Sequence, residues 1–162
     1  CTGRIRREVA LAGKPAAVAW AADGRFVYVA ESGAGTVAEV ARNGRLTRRL
    51  EVGPRPIGLA LAPRRGWLLA ANSATDTVSI VELAGGRERA RVPVTRMPYL
   101  LAVSPDEKLA VVGNRLPAGK ATDPATSAVV TLIDLESLSK AADVRLPPNS
   151  VNVHGVAIAP DG

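Results

Sequence analysis

The stretch LLAANSATDTVSIVEL, Leu68 to Leu83, decides the fold. It is two short apolar runs joined by Asn72, Ser73, Thr75 and Asp76, residue types that build tight turns, and Val78 and Ile80 alternate with smaller or polar neighbours as in a β-strand. Such a unit is a β-hairpin. One hairpin alone is marginal in water, so a chain that relies on it must supply further strands.

The further strands come from repetition. Aligned on proline, KPAAVAWAADGRFVYVAESGAGTVAEV from Lys14, RPIGLALAPRRGWLLAANSATDTVSIV from Arg55 and MPYLLAVSPDEKLAVVGNR from Met97 are copies of one pattern, and VHGVAIAPDG from Val153 begins a fourth. Pro15, Pro56 and Pro98 are separated by 41 and 42 residues, and Val153, in the proline's place, follows after 55. A period of about 40 to 45 residues with strand patterning is that of a four-stranded propeller blade.

Each full period holds four strand-like runs, clearest in the second as IGLALA, GWLLAAN, TVSIVEL and RERARVPV. Pro, Asp and Gly mark the first turn, Ser, Asn and Gly the second, and Gly85 and Gly86 the third, as up-and-down hairpins require. Helical periodicity is absent from these runs, although LESLSKAADV is compatible with one helical turn. The first run is rich in small residues (Ala16, Ala17, Gly58, Ala60, Ala102, Gly155), which suits innermost strands crowded around a channel. The fourth is rich in arginine, as in RLTRRLEV and RERARV, which suits an outer edge that must not pair with other chains. The expected fold is all-β, a propeller of four-stranded antiparallel blades present as an incomplete arc of three full blades plus the start of a fourth. The boundaries are an outer strand at 4–12, blades at 13–52, 53–94 and 95–148, and the start of the next blade at 149–162.

Composition excludes several classes. At 162 residues and 47% hydrophobic the chain is long enough for a core and too apolar for disorder. Its longest apolar run, Ala16 to Ala22, is far short of the ~20 residues of a membrane helix. One cysteine rules out an internal disulfide framework, and one histidine rules out a His-rich metal site. The net charge of +6 arises largely on outer strands where arginines interleave with Glu8, Glu51 and Glu88, and only five aromatic residues exist for base stacking; a solvated rim is expected, with no nucleic-acid partner. A chain opening on Cys1 has two readings, a processed lipoprotein whose lipid sits on that cysteine and an arbitrary boundary.

The motifs YVAESGAGTVAEV, LAANSATDTVSIVEL, VSPDEK and IAPDG resemble those of the YVTN family of β-propeller repeats, and the resemblance spans essentially the whole chain. It implies the fold. Two departures stand out: Glu31 replaces the signature asparagine in the first copy, and Arg64-Arg65 replace Asp-Gly in the second. The third and fourth copies also resemble propellers found beside di-haem cytochrome c peroxidase-like modules of bacterial envelope proteins. That resemblance implies a haem partner; no Cys-x-x-Cys-His sequence is present, so the haem would belong to a partner domain or subunit and no cofactor to this chain.

The irregular feature is an insertion of about ten residues after Asn114, RLPAGKATDPATS from Arg115 to Ser127, between the second and third strands of its blade. Long loops on rigid scaffolds often carry function. In an up-and-down blade this loop shares a face with the connections between blades, which hold Lys14, Arg55, Arg96 and PPNSVNVH. The candidate ligand- or partner-binding residues are therefore His154, Asn152, Arg55, Arg96, Arg115 and Lys120, with Cys1 as lipidation candidate and no catalytic or metal-ligating set. His154 is a packed structural residue or a group presented at the channel mouth. The expected function is a non-catalytic docking module of the bacterial cell envelope, periplasmic or lipid-anchored, engaging a protein partner such as a haem redox protein or the missing remainder of the same propeller. The alternative is part of a propeller enzyme, a lactonase-like hydrolase or an oxidoreductase, with its site on the same face.

Overall fold

The computed structural model describes residues 7–117, 119, 126–148 and 150–161. Among them are twelve strands in three antiparallel sheets, each ordered as the chain runs. Sheet 1 comprises β1 (Pro15–Trp20), β2 (Phe26–Glu31), β3 (Thr36–Ala41) and β4 (Leu46–Glu51). Sheet 2 comprises β5 (Pro56–Ala62), β6 (Trp67–Asn72), β7 (Thr77–Glu82) and β8 (Glu88–Pro93). Sheet 3 comprises β9 (Pro98–Val103), β10 (Leu109–Asn114), β11 (Val129–Asp134) and β12 (Ser139–Arg145). The prolines begin their first strands, where a missing N–H interrupts least.

Contacts between neighbouring sheets concentrate on the first strands: β1 meets β5, β5 meets β9, and only a weak contact joins β8 to β12. Sheets that touch along one edge and splay along the other form an arc of blades, so the small residues of the first runs have a steric cause. A Cβ added at Gly58 would lie 2.0 Å from the Tyr99 carbonyl oxygen; no side chain fits between β5 and β9 at that point.

The side-chain period of two explains why sheet 2 reads as nearly unbroken apolar sequence. Leu68, Ala70 and Val81 pack with Tyr28, Val37 and Leu50 of sheet 1, whereas Leu69, Ala71 and Ile80 pack with Leu101, Ala110, Val112 and Ile133 of sheet 3. Both faces are core. Burying each such Leu or Ile contributes roughly 1.5–3 kcal/mol, which drives the sheets together.

One expectation differs from the structure, and two end segments stand without a ladder among the described residues. Arg7 to Leu11, expected in an outer strand, forms no ladder among the described residues; Val9 and Leu11 instead pack on Val29, Ala38 and Val40 of sheet 1. Val153 to Ala159, expected as a first strand, is likewise without strand pairing, and the positions that a Cβ on Gly113 would contact belong to Val153 and Val156. Strand geometry needs a ladder partner; both segments are expected to pair with strands of other blades, and neither has a partner among the described residues. The stretch after Asp134 makes a turn and not a helix: Glu136 and Ser137 donate their N–H groups to Asp134 Oδ1 at 2.7 and 2.9 Å, and Leu138 takes a left-handed φ of 54° before β12 begins.

Candidate functional site at the channel mouth

The turns between second and third strands meet the connections between blades on one face. In each blade the carbonyl before or at the strand entrance is bound by the turn: Ser32 donates its N–H to Lys14 O at 2.8 Å, Ser73 to Arg55 O at 3.0 Å and Arg115 to Met97 O at 3.0 Å. Leu116 adds a bond from its N–H to Arg96 O at 3.3 Å. Lys14, Arg55, Arg96 and the root of the insertion are thus fixed to the same rim by backbone, and the first three side chains are exposed. Arg55 and Met97 hold left-handed φ values of 55° and 57°, which swing the chain into the following proline.

The insertion root and the last segment converge on one aromatic ring. The guanidinium of Arg115 lies 5.0 Å from the Tyr99 ring centroid, and the ring of His154 lies 6.2 Å from Tyr99, tilted by 54°. The result is a row of cation, phenol and imidazole, the last exposed. Asn152, exposed with φ of 58°, sits two residues before His154. Arg55 and Arg96 are on the same rim. Lys120 and Cys1 lie outside the described residues.

Beneath the mouth, each second strand ends in a polar residue with no exposed surface: Glu31, Asn72 and Asn114. Their task is to anchor the connection entering the blade, and two chemical solutions appear. In sheet 2, Asn72 Nδ2 donates to Ser79 Oγ at 2.9 Å, and Ser79 Oγ accepts the N–H of Gly53 at 3.2 Å. In sheet 3, Asn114 Nδ2 donates to Thr131 Oγ1 at 3.0 Å, and that oxygen is 3.4 Å from the N–H of Thr95. Sheet 1 has Ala38 at the hydroxyl position, and the longer Glu31 reaches directly: its Oε1 accepts the N–H of Ala12 at 2.7 Å, while Thr36 and Arg49 donate to Oε2 at 2.8 Å each. This is the physical reason for the first departure from the repeat. Burial pushes the Glu31 carboxyl up, but the donors from Arg49, Thr36 and Ala12 outweigh it and hold it below its ordinary range.

The opposite face carries groups that the sequence reading did not single out. Tyr28, Glu39 and Arg48 are consecutive in register across β2, β3 and β4. Glu39, almost fully buried, accepts from Thr47 at 2.6 Å, Arg48 Nη2 at 2.8 Å and Tyr28 at 3.4 Å. Burial first, and then the Glu39 charge, push the Tyr28 hydroxyl up to about 12. Burial raises Glu39 too, but the bonds from Arg48 and Thr47 win and its carboxyl lies below the ordinary range. Arg48 also donates to the Leu83 carbonyl in the turn after β7. Between sheets 2 and 3, Glu107 accepts the N–H groups of Arg64 and Arg65 at 3.0 Å each; their side chains account for the second departure, Arg65 Nε donating to the Glu107 carbonyl at 2.7 Å and Arg64 to the Pro105 carbonyl. The signal for both was a charged residue standing where the aligned repeats carry another type.

No family model matches this chain, and no curated protein matches it. Among solved structures it is similar to a chain of Kuenenia stuttgartiensis hydrazine synthase, with a TM-score of 0.79 and 23% identity over 91% of this chain and 40% of that one. The fold is a β-propeller. This chain spans 40% of that neighbour's length. The neighbour is one of 733 matching chains, and a propeller shared so widely carries architecture without selecting an activity.

Proposed function

We propose that this chain is a YVTN-type propeller segment of the bacterial cell envelope that docks a partner protein non-catalytically, the partner being a haem redox protein with an acidic surface. The single observation carrying the reading is the row Arg115–Tyr99–His154 at the mouth, at the root of the insertion. A guanidinium on an aromatic face is held in place yet keeps its fork of donors for a carboxylate. Among the described residues Arg55 and Arg96 make no side-chain ion pair, so their charge acts outward and steers an acidic approach. The haem is the partner's, the anchor is Cys1 when that residue is lipidated, and Asn152 adds to the contact surface, with Lys120 of the insertion as a further candidate contact.

The test is titration calorimetry against an acidic c-type cytochrome, with a basic one as control. Binding of the acidic protein alone, weakened at about 0.15 M salt and lost by an order of magnitude in Arg55→Glu/Arg96→Glu, supports docking. Equal affinity for both cytochromes, or no response to the double reversal, overturns it. Lactone turnover abolished by His154→Ala would establish the enzyme reading instead.

A further inference from the structure

Comparison of the blades row by row exposes a site on the other face. The row Ala19–Tyr28–Glu39–Arg48 crosses sheet 1; its counterparts are Ala60–Leu69–Ile80–Ala90 in sheet 2 and Ala102–Val111–Leu132–Ala142 in sheet 3. In sheet 2 this row faces the next blade and is packed as core: Leu69 and Ile80 have no exposed surface. Sheet 1 places a phenol, a carboxylate and a guanidinium in those same positions. Local rules broken inside an otherwise consistent repeat are expected at functional sites.

A second observation coincides with the first. Where the polar row faces sheet 2, the blades leave a cleft of about 530 Å³, within the range that holds small-molecule ligands. Its walls are apolar, with Ala21, Phe26, Leu61, Pro63 and Leu83. Its polar groups are Tyr28, Glu39 and Arg48 at the base and Asp23 from the turn after β1.

The charges select the ligand. Two carboxylates against one guanidinium give the lining a net charge of −1. Arg48 is committed, because it donates to Glu39 and to the Leu83 and Ala84 carbonyls. Among the described residues, Oε1 of Glu39 accepts a side-chain bond from Thr47 alone, and Oδ1 of Asp23 accepts the N–H of Arg25 alone; a carboxylate offers about four acceptor positions, so both retain capacity. The guanidinium of Arg25, 5.7 Å from the Phe26 ring centroid, shows that this ring seats a cation.

We propose that the cleft between sheets 1 and 2 binds a small organic cation, a primary ammonium on an apolar aromatic or alkyl body. The ammonium donates to Asp23 and Glu39, and the body lies against Phe26, Leu61 and Pro63. The site is on the face opposite the mouth and is independent of the docking reading.

The experiment titrates the chain with phenethylammonium, with 3-phenylpropionate as the anion of similar shape and benzyl alcohol as the neutral one, by calorimetry and by shifts of backbone amides. The ammonium compound is expected to bind with amide shifts at Ala21, Ala22 and Leu83, and Asp23→Asn to weaken it by roughly tenfold. The triple variant Tyr28→Leu/Glu39→Ile/Arg48→Ala, which writes the sheet 2 row into sheet 1, is expected to fold and to lose binding, since apolar residues in place of a carboxylate that is buried against a partly exposed guanidinium remove a desolvation cost along with the pair. If the triple variant does not fold, Asp23→Asn decides alone. Absence of binding, equal binding of 3-phenylpropionate, or full affinity in Asp23→Asn or in a folded triple variant overturns the proposal and leaves Tyr28, Glu39 and Arg48 as a clamp between blades.

Discussion

The two ways of anchoring an inter-blade connection are interchangeable chemistry, and a double-mutant cycle measures this. Glu31→Asn shortens the side chain by one methylene, so it no longer reaches the Ala12 N–H now bound at 2.7 Å. A buried hydrogen bond to a charged group is worth about 1.5–3 kcal/mol. The bond from Thr36 persists, because the equivalent Asn72 lies 3.1 Å from Thr77 Oγ1. The Arg49 pair adds nothing to the sum, since that guanidinium stays solvated. The expected loss is therefore about 2 kcal/mol, a fall of roughly 1 M in urea midpoint at an unchanged slope of about 2 kcal/mol/M. Adding Ala38→Ser supplies the hydroxyl that sheets 2 and 3 use, with two neutral bonds of about 1 kcal/mol each, and recovers most of the loss. In the presence of Glu31 the same serine has no unmet donor to serve and shifts stability by less than ~1 kcal/mol. Strictly additive effects, within about 0.5 kcal/mol, would refute the account of Glu31 as a substitute for the Asn and hydroxyl pair.

Other outcomes follow from the same geometry. Gly58→Ala forces a Cβ onto the Tyr99 carbonyl at 2.0 Å and is expected to destabilise by about 1–3 kcal/mol, read as a lower urea midpoint; an unchanged midpoint would show that β5 and β9 are not tightly apposed. Glu107→Gly sets relief of a left-handed φ of 57°, about 1 kcal/mol, against loss of the two N–H bonds from Arg64 and Arg65, about 1.5–3 kcal/mol each. The bonds win, so the melting temperature drops by several degrees, and a rise would mean that the turn, not the clamp, governs that position. For acid, the sign is set by Glu31 and Glu39: both carboxyls are held below the ordinary value of 4.5 in the folded chain, so their stabilisation is complete above about 4.5 and is lost as pH falls through their lowered folded values. Circular dichroism against urea at falling pH should show this decline, with a smaller slope in Glu31→Gln.

The blades were legible because each level of the sequence agrees. The proline-aligned period, the hairpin turns and the alternation through Val78 and Ile80 all specify one strand order, and nothing in the packing overrides them. The segments Arg7–Leu11 and Val153–Ala159 carry strand composition, and the partners expected for them belong to other blades, so no ladder among the described residues includes them. At the candidate site, the shared face of Arg55, Arg96, Arg115 and His154 follows from topology alone, so it could be argued from turn order. The bridging role of Tyr99 could not, because it depends on side-chain direction across two copies. The polar row of Tyr28, Glu39 and Arg48 was hidden for another reason: its members are far apart in sequence and ordinary one by one, and they become a cluster only when strand register lines them up.

Sheet 2 is covered on both sides, by Tyr28 and Leu50 on one and by Leu101 and Ile133 on the other, whereas sheets 1 and 3 are each covered by a neighbouring sheet on one. In a linear stack whose members touch only their neighbours, stability is a sum of unit and junction contributions. Opening an end sheet breaks one junction, and opening the middle one breaks two. Amide protons of β6 and β7 should therefore exchange with solvent only when the whole arc comes apart, while those of β1, β2 and β12 exchange through partial opening. Within this arc the middle blade is thus the last to open, and tension applied across residues 7–161 would peel its neighbours away before it gives.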